Sequence, residues 1–238
     1  MGRVELCVLD MAGTTVRDDG LVLAAFMEAA AAVGLRATAE EVNARMGQNK
    51  REVLDALARR QLGAVAAAER LRDDAFDAFR RVLEAAIRQG GARPMPGAEA
   101  LFGRLRASGV RVALNTGFYR EVTELIVERL GWRAEVDAVV CGDDVPAGRP
   151  APYMIHLAMQ RCAVTSVHAV AVVGDTPSDL EAGTRSGARA VVGVTSGAHG
   201  AASLRRAPHT HLLPSVGELG PLLERIDRLA ARVAPARA

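Results

Sequence analysis

Hydrophobic positions along the chain fall into two alternating patterns. Residues 4–9 form a short, nearly unbroken apolar run that ends in Asp10-Met11-Ala12-Gly13-Thr14-Thr15. This predicts a buried parallel strand feeding a tight loop. From about 21 to 89 the spacing is helical, rich in Ala, Leu, Glu and Arg, with no strand-like run. Within it, Thr38-Ala39-Glu40-Glu41 has the form of a capping box at a helix start. Gly90-Gly91 and then Pro94-Met95-Pro96-Gly97 break the helical run and mark a hinge. Beyond the hinge, predicted helices at 99–107, 121–130, 152–162 and 179–187 alternate with predicted strands at 110–114, 138–141, 169–173 and 188–194. A last helix spans 216–233.

Strands that alternate with helices of this length imply a parallel sheet covered on both faces. The expected architecture is α/β: a Rossmann-like, doubly wound core made of residues 1–17 and 93–238, with an all-helical cap domain at 18–92 inserted after the first strand. No internal repeat stands out.

Composition narrows the function classes. Half of the 238 residues are apolar, 24% are charged and the net charge is +2, which is ordinary for a soluble globular protein. Arg59-Arg60, Arg80-Arg81 and Arg205-Arg206 are isolated pairs, and aromatic residues for base stacking are few. No nucleic-acid partner is expected. Cys7, Cys141 and Cys162 lack metal-ligand spacing, so structural burial in a reducing compartment is expected. The apolar stretch at 21–35 is interrupted by Glu28 and is too short to span a bilayer. The chain opens directly on an apolar strand, so no secretory leader is expected. A cytoplasmic protein without a membrane partner is expected.

In a doubly wound sheet, ligands bind beyond the carboxyl ends of the strands. Four polar clusters fall at such ends: Asp10; Asn115-Thr116-Gly117; Asp143-Asp144-Val145-Pro146-Ala147-Gly148-Arg149-Pro150; and Gly174-Asp175-Thr176-Pro177-Ser178-Asp179. A single Asp in a βα loop often only caps the next helix. Four clusters at successive strand ends instead supply carboxylates, a hydroxyl, a fixed cation and Gly-adjacent amides, an inventory that suits Mg²⁺ and a phosphoryl group. Carboxylates can hold the cation, while Thr116 and Arg149 hold phosphoryl oxygens.

One basic residue is set apart. The chain has 29 arginines and one lysine, Lys50, within Met46-Gly47-Gln48-Asn49-Lys50. Guanidinium keeps its proton in proteins, whereas an ε-amine can lose it and form imines with carbonyls. The helical pattern at 51–60 places Lys50 near a helix N-terminus. There the helix dipole, together with desolvation when the cap closes, is expected to lower the amine's pKa.

Taken in order, Asp10-Met11-Ala12-Gly13-Thr14-Thr15, Thr116-Gly117, Arg149 and Gly174-Asp175 through Asp179 resemble the four loop motifs of the haloacid-dehalogenase-like superfamily. The resemblance covers essentially the whole chain. It implies that Asp10 is the nucleophile, and that Asp10, the Ala12 carbonyl and Asp175 ligate Mg²⁺ with support from Asp179. Gly13, Thr14, Thr116, Gly117 and Arg149 would hold the phosphoryl group. Phosphomonoesterases of the superfamily usually carry a second Asp two residues after the nucleophile, as the acid for the leaving alcohol. Here that position is Ala12.

The phosphonoacetaldehyde hydrolase (phosphonatase) branch shares this Ala. It also has a cap Met-Gly-x-x-Lys, similar to Met46-Gly47-Gln48-Asn49-Lys50, and an Arg where most relatives have a third-motif Lys, similar to Arg149. This resemblance implies a small-molecule phosphonate substrate contacted by Met46 and Gly47, a Lys50 imine as electron sink, an Asp10 aspartyl-phosphate, and a homodimer formed through the cap. The chain departs from the branch at four places. Val53 stands where the branch has His, Phe118 where it has Tyr and Met11 where it has Trp, and 17–20 offers no counterpart to its linker Cys. These changes are expected to alter pocket shape and the handling of protons around the imine.

Two other functions compete. One is phosphomonoester hydrolysis of the phosphoglycolate phosphatase type, and the other is binding of a phosphorylated ligand without turnover. Arg120 can reach a phosphonate or simply start a helix, and Asp143-Asp144 can support the metal or lie in a solvated loop. His209-Thr210-His211 is expected in a surface loop, and Met154 and Met159 in the core.

Overall fold

The structure, a computed structural model, describes residues 3–233. Six strands form one parallel sheet: β1 (Leu6–Asp10), β2 (Arg111–Thr116), β3 (Ala138–Cys141), β4 (Val170–Gly174), β5 (Ala190–Val194) and β6 (His211–Leu213). The strand order is β3-β2-β1-β4-β5-β6. β1 pairs with β2 on one side and β4 on the other, so the order reverses between β1 and β4. A crevice for ligands opens at such a switch point.

Both faces of the sheet are covered. Every residue of β1 is buried, and the period of two divides its side chains between two apolar clusters. Leu6 and Val8 pack with Met154, Ile155, Ala158 and Met159. Cys7 and Leu9 face the cluster containing Phe102, Val122, Ile126 and Leu222. The helices are α1 (Leu21–Val33), α2 (Ala39–Asn43), α3 (Lys50–Leu62), α4 (Val65–Ala86), α5 (Ala98–Ala107), α6 (Arg120–Arg129), α7 (Tyr153–Arg161), α8 (Pro177–Ser186), α9 (Ala201–Leu204) and α10 (Leu219–Val233).

Helices α1 to α4 lie between β1 and β2, as the helical pattern predicts. α1 and α3 both pack against α4, with the rings of Phe26 and Phe79 4.5 Å apart. The chain leaves and re-enters the sheet layer along two adjacent segments. Arg17 N donates to the Arg93 carbonyl at 2.9 Å, and Met95 N to the Thr15 carbonyl at 2.7 Å. The helical insertion is thereby tethered beside the loop that follows β1.

The capping box at Thr38 forms in both directions: its hydroxyl accepts from Glu41 N, and the Glu41 carboxylate accepts from Thr38 N. Thr38→Ala should lower unfolding stability by about 1 kcal/mol in urea denaturation and leave the distant site unchanged.

His211, expected in a surface loop, instead belongs to the short edge strand β6, where Val194 pairs with Leu213 and Val192 with His211. The ring Nδ1 atoms of His209 and His211 bond to the Ala207 carbonyl and the Thr210 hydroxyl. Cys7, Cys141 and Cys162 are buried free thiols, and burial pushes the thiols of Cys141 and Cys162 up to about 11. No helix among the described residues is long and apolar enough to cross a membrane.

Candidate active site

The loop after β1 is a tight turn. The amides of Thr14, Thr15 and Val16 all point at the Met11 carbonyl, and the Thr15 hydroxyl donates to the Asp10 carbonyl at 2.8 Å. This fixes Asp10 at the mouth of the crevice, 3% exposed. Gly13 adopts a φ of +89°, and a Cβ there would lie 2.7 Å from the Asp175 carboxyl carbon. Only glycine lets the turn rest on that carboxylate. The Thr14 hydroxyl donates to Asp175 at 3.0 Å. Gly13 and Thr14 therefore brace Asp175, and neither is among the residues lining the cavity.

Asp175 follows β4, and Asp179 sits in the first turn of α8. Thr176 caps that helix, and its amide and hydroxyl both donate to the Asp179 carboxylate, at 3.0 and 2.6 Å. Asp10, Asp175 and Asp179 each bring a carboxylate oxygen within 4.8 Å of the other two. Burial, and next the charge of Asp10, raise the Asp175 carboxyl well above the usual carboxylate range. One guanidinium lies among the three: Arg149 pairs with Asp10 at 2.8 Å and also with Asp179.

Three buried carboxylates against one fixed cation leave excess negative charge in a dry site, which is costly unless it is compensated. A hard divalent ion with oxygen ligands fits this set. Nη1 of Arg149 lies in ion-pair range of Asp10 and Asp179, and none of the three guanidinium nitrogens has hydrogen-bond geometry to a carboxylate. None of the three has a hydrogen-bond partner among the described residues, although the side chain is almost fully buried. Buried donors in this state call for a polar ligand, and a phosphoryl group supplies the acceptors.

The helical insertion contributes the other wall. Asn49 caps α3 through its side chain, making Lys50 the first helical residue. The segment 46–50 lies directly on the core loops. Lys50 N donates to the Gly117 carbonyl at 3.2 Å, and Gly148 N donates to Glu52 at 3.2 Å. Glycines make this approach possible: a Cβ on Gly117 would stand 2.9 Å from the Gly47 carbonyl oxygen, one on Gly142 would stand 2.8 Å from Asn49 Nδ2, and one on Gly47 would press on Thr176.

Lys50 is thereby turned inward, 5% exposed. Its Nζ donates to the Gln48 carbonyl at 3.3 Å and lies 5.3 Å from the centre of the Phe118 ring. Burial, and next the charge of Arg149, lower its pKa from 10.5 to about 8, against the opposing pull of Asp10, Asp18 and Asp175. The expected lowering is present, with burial as its largest cause.

A small pocket joins these parts. Asp10, Ala12, Met46, Gly47 and Lys50 line it together with Thr116, Gly117, Arg149 and Asp175. Asp179 stands behind Arg149. Arg120, in contrast, is engaged elsewhere: it pairs with Glu124 and Asp144, while Asp143 accepts from the Arg120 amide and so caps α6. The alternative roles considered for Arg120, Asp143 and Asp144 at the phosphonate or metal are not met.

Two features of the site were missed. The loop after β5 supplies Ala198 N, which donates to Asp175 at 2.7 Å, and Ser196, whose hydroxyl donates to the Gly13 carbonyl at 3.3 Å. Gly197 packs so closely that a Cβ would stand 2.5 Å from the Asp175 Cβ. The signal was a small-residue turn at a fifth strand end. The second missed residue is Asp18, in the segment leading to α1, which also lines the cavity.

Comparison with known proteins gives a consistent picture. A family model described as haloacid dehalogenase-like hydrolase matches residues 4–187. A phosphonoacetaldehyde hydrolase of Syntrophobacter fumaroxidans is 32% identical over 203 residues, covering 78% of this chain and 70% of that one. One from Bacillus cereus is 31% identical over 200 residues, covering 78% and 74%. Among solved structures, a phosphonoacetaldehyde hydrolase-like protein of Oleispira antarctica superposes with a TM-score of 0.82 at 24% identity, covering 98% and 96%. A putative β-phosphoglucomutase of Bacteroides vulgatus superposes at 0.80 with 17% identity, covering 95% and 90%. At these identities the structural matches carry the fold alone.

Proposed function

The chain belongs to the haloacid dehalogenase-like hydrolases, and on that footing we propose that it cleaves the C–P bond of phosphonoacetaldehyde or a closely related oxo-phosphonate. One observation carries this reading. The only lysine of the chain has its amine buried in the cavity that holds Asp10, while the position for a leaving-group acid is Ala12. Cleavage of an ester needs a proton for the departing alkoxide. Cleavage of a C–P bond leaves electrons on carbon, and the partner they need is an electron sink.

Lys50 supplies that sink by condensing with the aldehyde carbon to a protonated imine, releasing water. Asp10 attacks phosphorus in line, the C–P bond breaks, and its electron pair moves into the imine to give a neutral enamine. The Arg149 donors and Thr116 hold the phosphoryl oxygens while phosphorus passes to the Asp10 carboxylate. The enamine then takes a proton on carbon and hydrolyses to the aldehyde, freeing Lys50. Water opens the aspartyl phosphate and releases inorganic phosphate. A Mg²⁺ ion held by Asp10 and Asp175, with Asp179 in support, would neutralise charge on the phosphoryl oxygens. The loop 46–50, seated on the core glycines, keeps bulk water from the imine.

Borohydride added during turnover of phosphonoacetaldehyde with Mg²⁺ should leave an N-ethyl group on Lys50 and release phosphate. The deprotonated amine is the reacting form, so trapping should rise with pH through a midpoint near 8, more than two units below free lysine. Phosphate release from esters alone, with Lys50 unmodified, would instead identify a phosphomonoesterase.

A further inference from the structure

Imine formation moves protons as well as electrons. The lysine ammonium must lose a proton before it attacks, and the carbinolamine hydroxyl must gain one to leave as water. The ionisable groups that line the cavity are Asp10, Asp18, Lys50, Arg149 and Asp175. Asp10 is committed to phosphorus and Asp175 to the cation, Lys50 is the nucleophile toward carbon, and Arg149 holds its proton permanently. Val53, one turn along α3 from Lys50, is apolar, buried and not among the lining residues. Phe118, whose ring lies beside the Lys50 amine, has no proton to give. Asp18 alone is unassigned.

Its setting suits the task. It is half-buried, on the segment that enters the helical insertion. One carboxylate oxygen accepts from Val22 N at 3.2 Å, which anchors the side chain at the start of α1. The other has no hydrogen bond or ion pair among the described residues. Its charge is also among those that act on Lys50.

We propose that Asp18 is the proton carrier for the Lys50 imine, an inference that rests on the C–P cleavage reading above. The Asp18 carboxylate takes a proton from the Lys50 ammonium. The neutral amine adds to the carbonyl, its N–H proton passing to the oxygen to give the carbinolamine. Asp18 then returns its proton to the departing hydroxyl. Lysine ammonium and aldehyde become iminium and water, with Asp18 a carboxylate again. The same steps run backwards when the product iminium is hydrolysed.

Asp18→Asn isolates this role, because the amide oxygen still accepts from Val22 N while the side chain no longer carries protons. The expected result is borohydride trapping at Lys50 slowed by about 10²-fold or more, unchanged thermal unfolding, and recovery with added formate or in Asp18→Glu. A purely electrostatic Asp18 predicts the opposite sign: losing its negative charge lowers the Lys50 pKa further, leaves more free amine and speeds trapping at pH 7. Trapping at or above the wild-type rate, or a slow variant that neither formate nor Asp18→Glu restores, overturns the proposal. Wild-type protein that forms no Lys50 adduct at all removes the imine itself, and the same experiment reads that failure separately.

Discussion

Replacing Lys50 with arginine should abolish phosphonate cleavage, lowering turnover by roughly 10⁴-fold or more, the scale seen when a group that bonds covalently to substrate is removed. The reason is the proton. With the Lys50 pKa near 8, about one amine in ten is neutral at pH 7, against about one in three thousand at 10.5. Guanidinium offers no neutral nitrogen at any working pH. Arginine also places a permanent charge beside Arg149, whose charge already acts against the Lys50 ammonium. Lys50→Met removes that complication and should be equally inactive, with the fold retained in circular dichroism. Phosphate release from phosphonoacetaldehyde by either variant at a rate near wild type would falsify the imine mechanism.

Much of the architecture was legible because buried parallel strands leave a strong mark. β1 to β5 are apolar runs bounded by polar loops, and each predicted strand lies within two residues of its observed limits. β6 is three residues long, at the edge, with a histidine paired to Val192, so no apolar run announces it. The charged residues of the candidate site were legible for a related reason. Asp10, Arg149, Asp175 and Asp179 fall in polar clusters at the ends of apolar strands, and Lys50 is the one lysine among 30 basic residues. The residues that escaped notice act through backbone or through placement. Ser196, Gly197 and Ala198 reach Asp175 and Gly13 with an amide, a hydroxyl and an absent side chain, and none of these reads as chemistry in a sequence. Asp18 lies in Arg17-Asp18-Asp19-Gly20, a string that resembles a solvated linker. Its neighbours Arg17 and Asp19 do form an exposed pair, and only the fold turns Asp18 into the cavity. Arg120 and Asp144 illustrate the converse. Both are charged and near a strand end, yet they satisfy each other outside the site.

Gly117→Ala should separate the two halves of the active site without altering either one's chemistry. The backbone at Gly117 needs no left-handed conformation, so alanine adds no local strain. Its methyl would overlap the Gln48 carbonyl oxygen and stand 2.9 Å from that of Gly47. The segment 46–50 must then retreat by about 1 Å, a displacement that can cost about 10²-fold when it separates reacting groups. Lys50 rides on that segment, while Asp10, Asp175 and Arg149 stay with the core loops. Cleavage of phosphonoacetaldehyde should therefore fall about 10²-fold, and the pH midpoint of Lys50 trapping should climb from about 8 toward 10.5 as burial, the largest cause of the lowering, is relieved. Gly103→Ala serves as the comparison, because a Cβ there meets nothing within 4 Å. It lies inside α5, where alanine should stabilise the helix by up to about 1 kcal/mol and leave both readouts unchanged. If Gly117→Ala keeps full activity and the same pH midpoint, close seating of the helical insertion on this glycine is not what places the amine over the phosphoryl site.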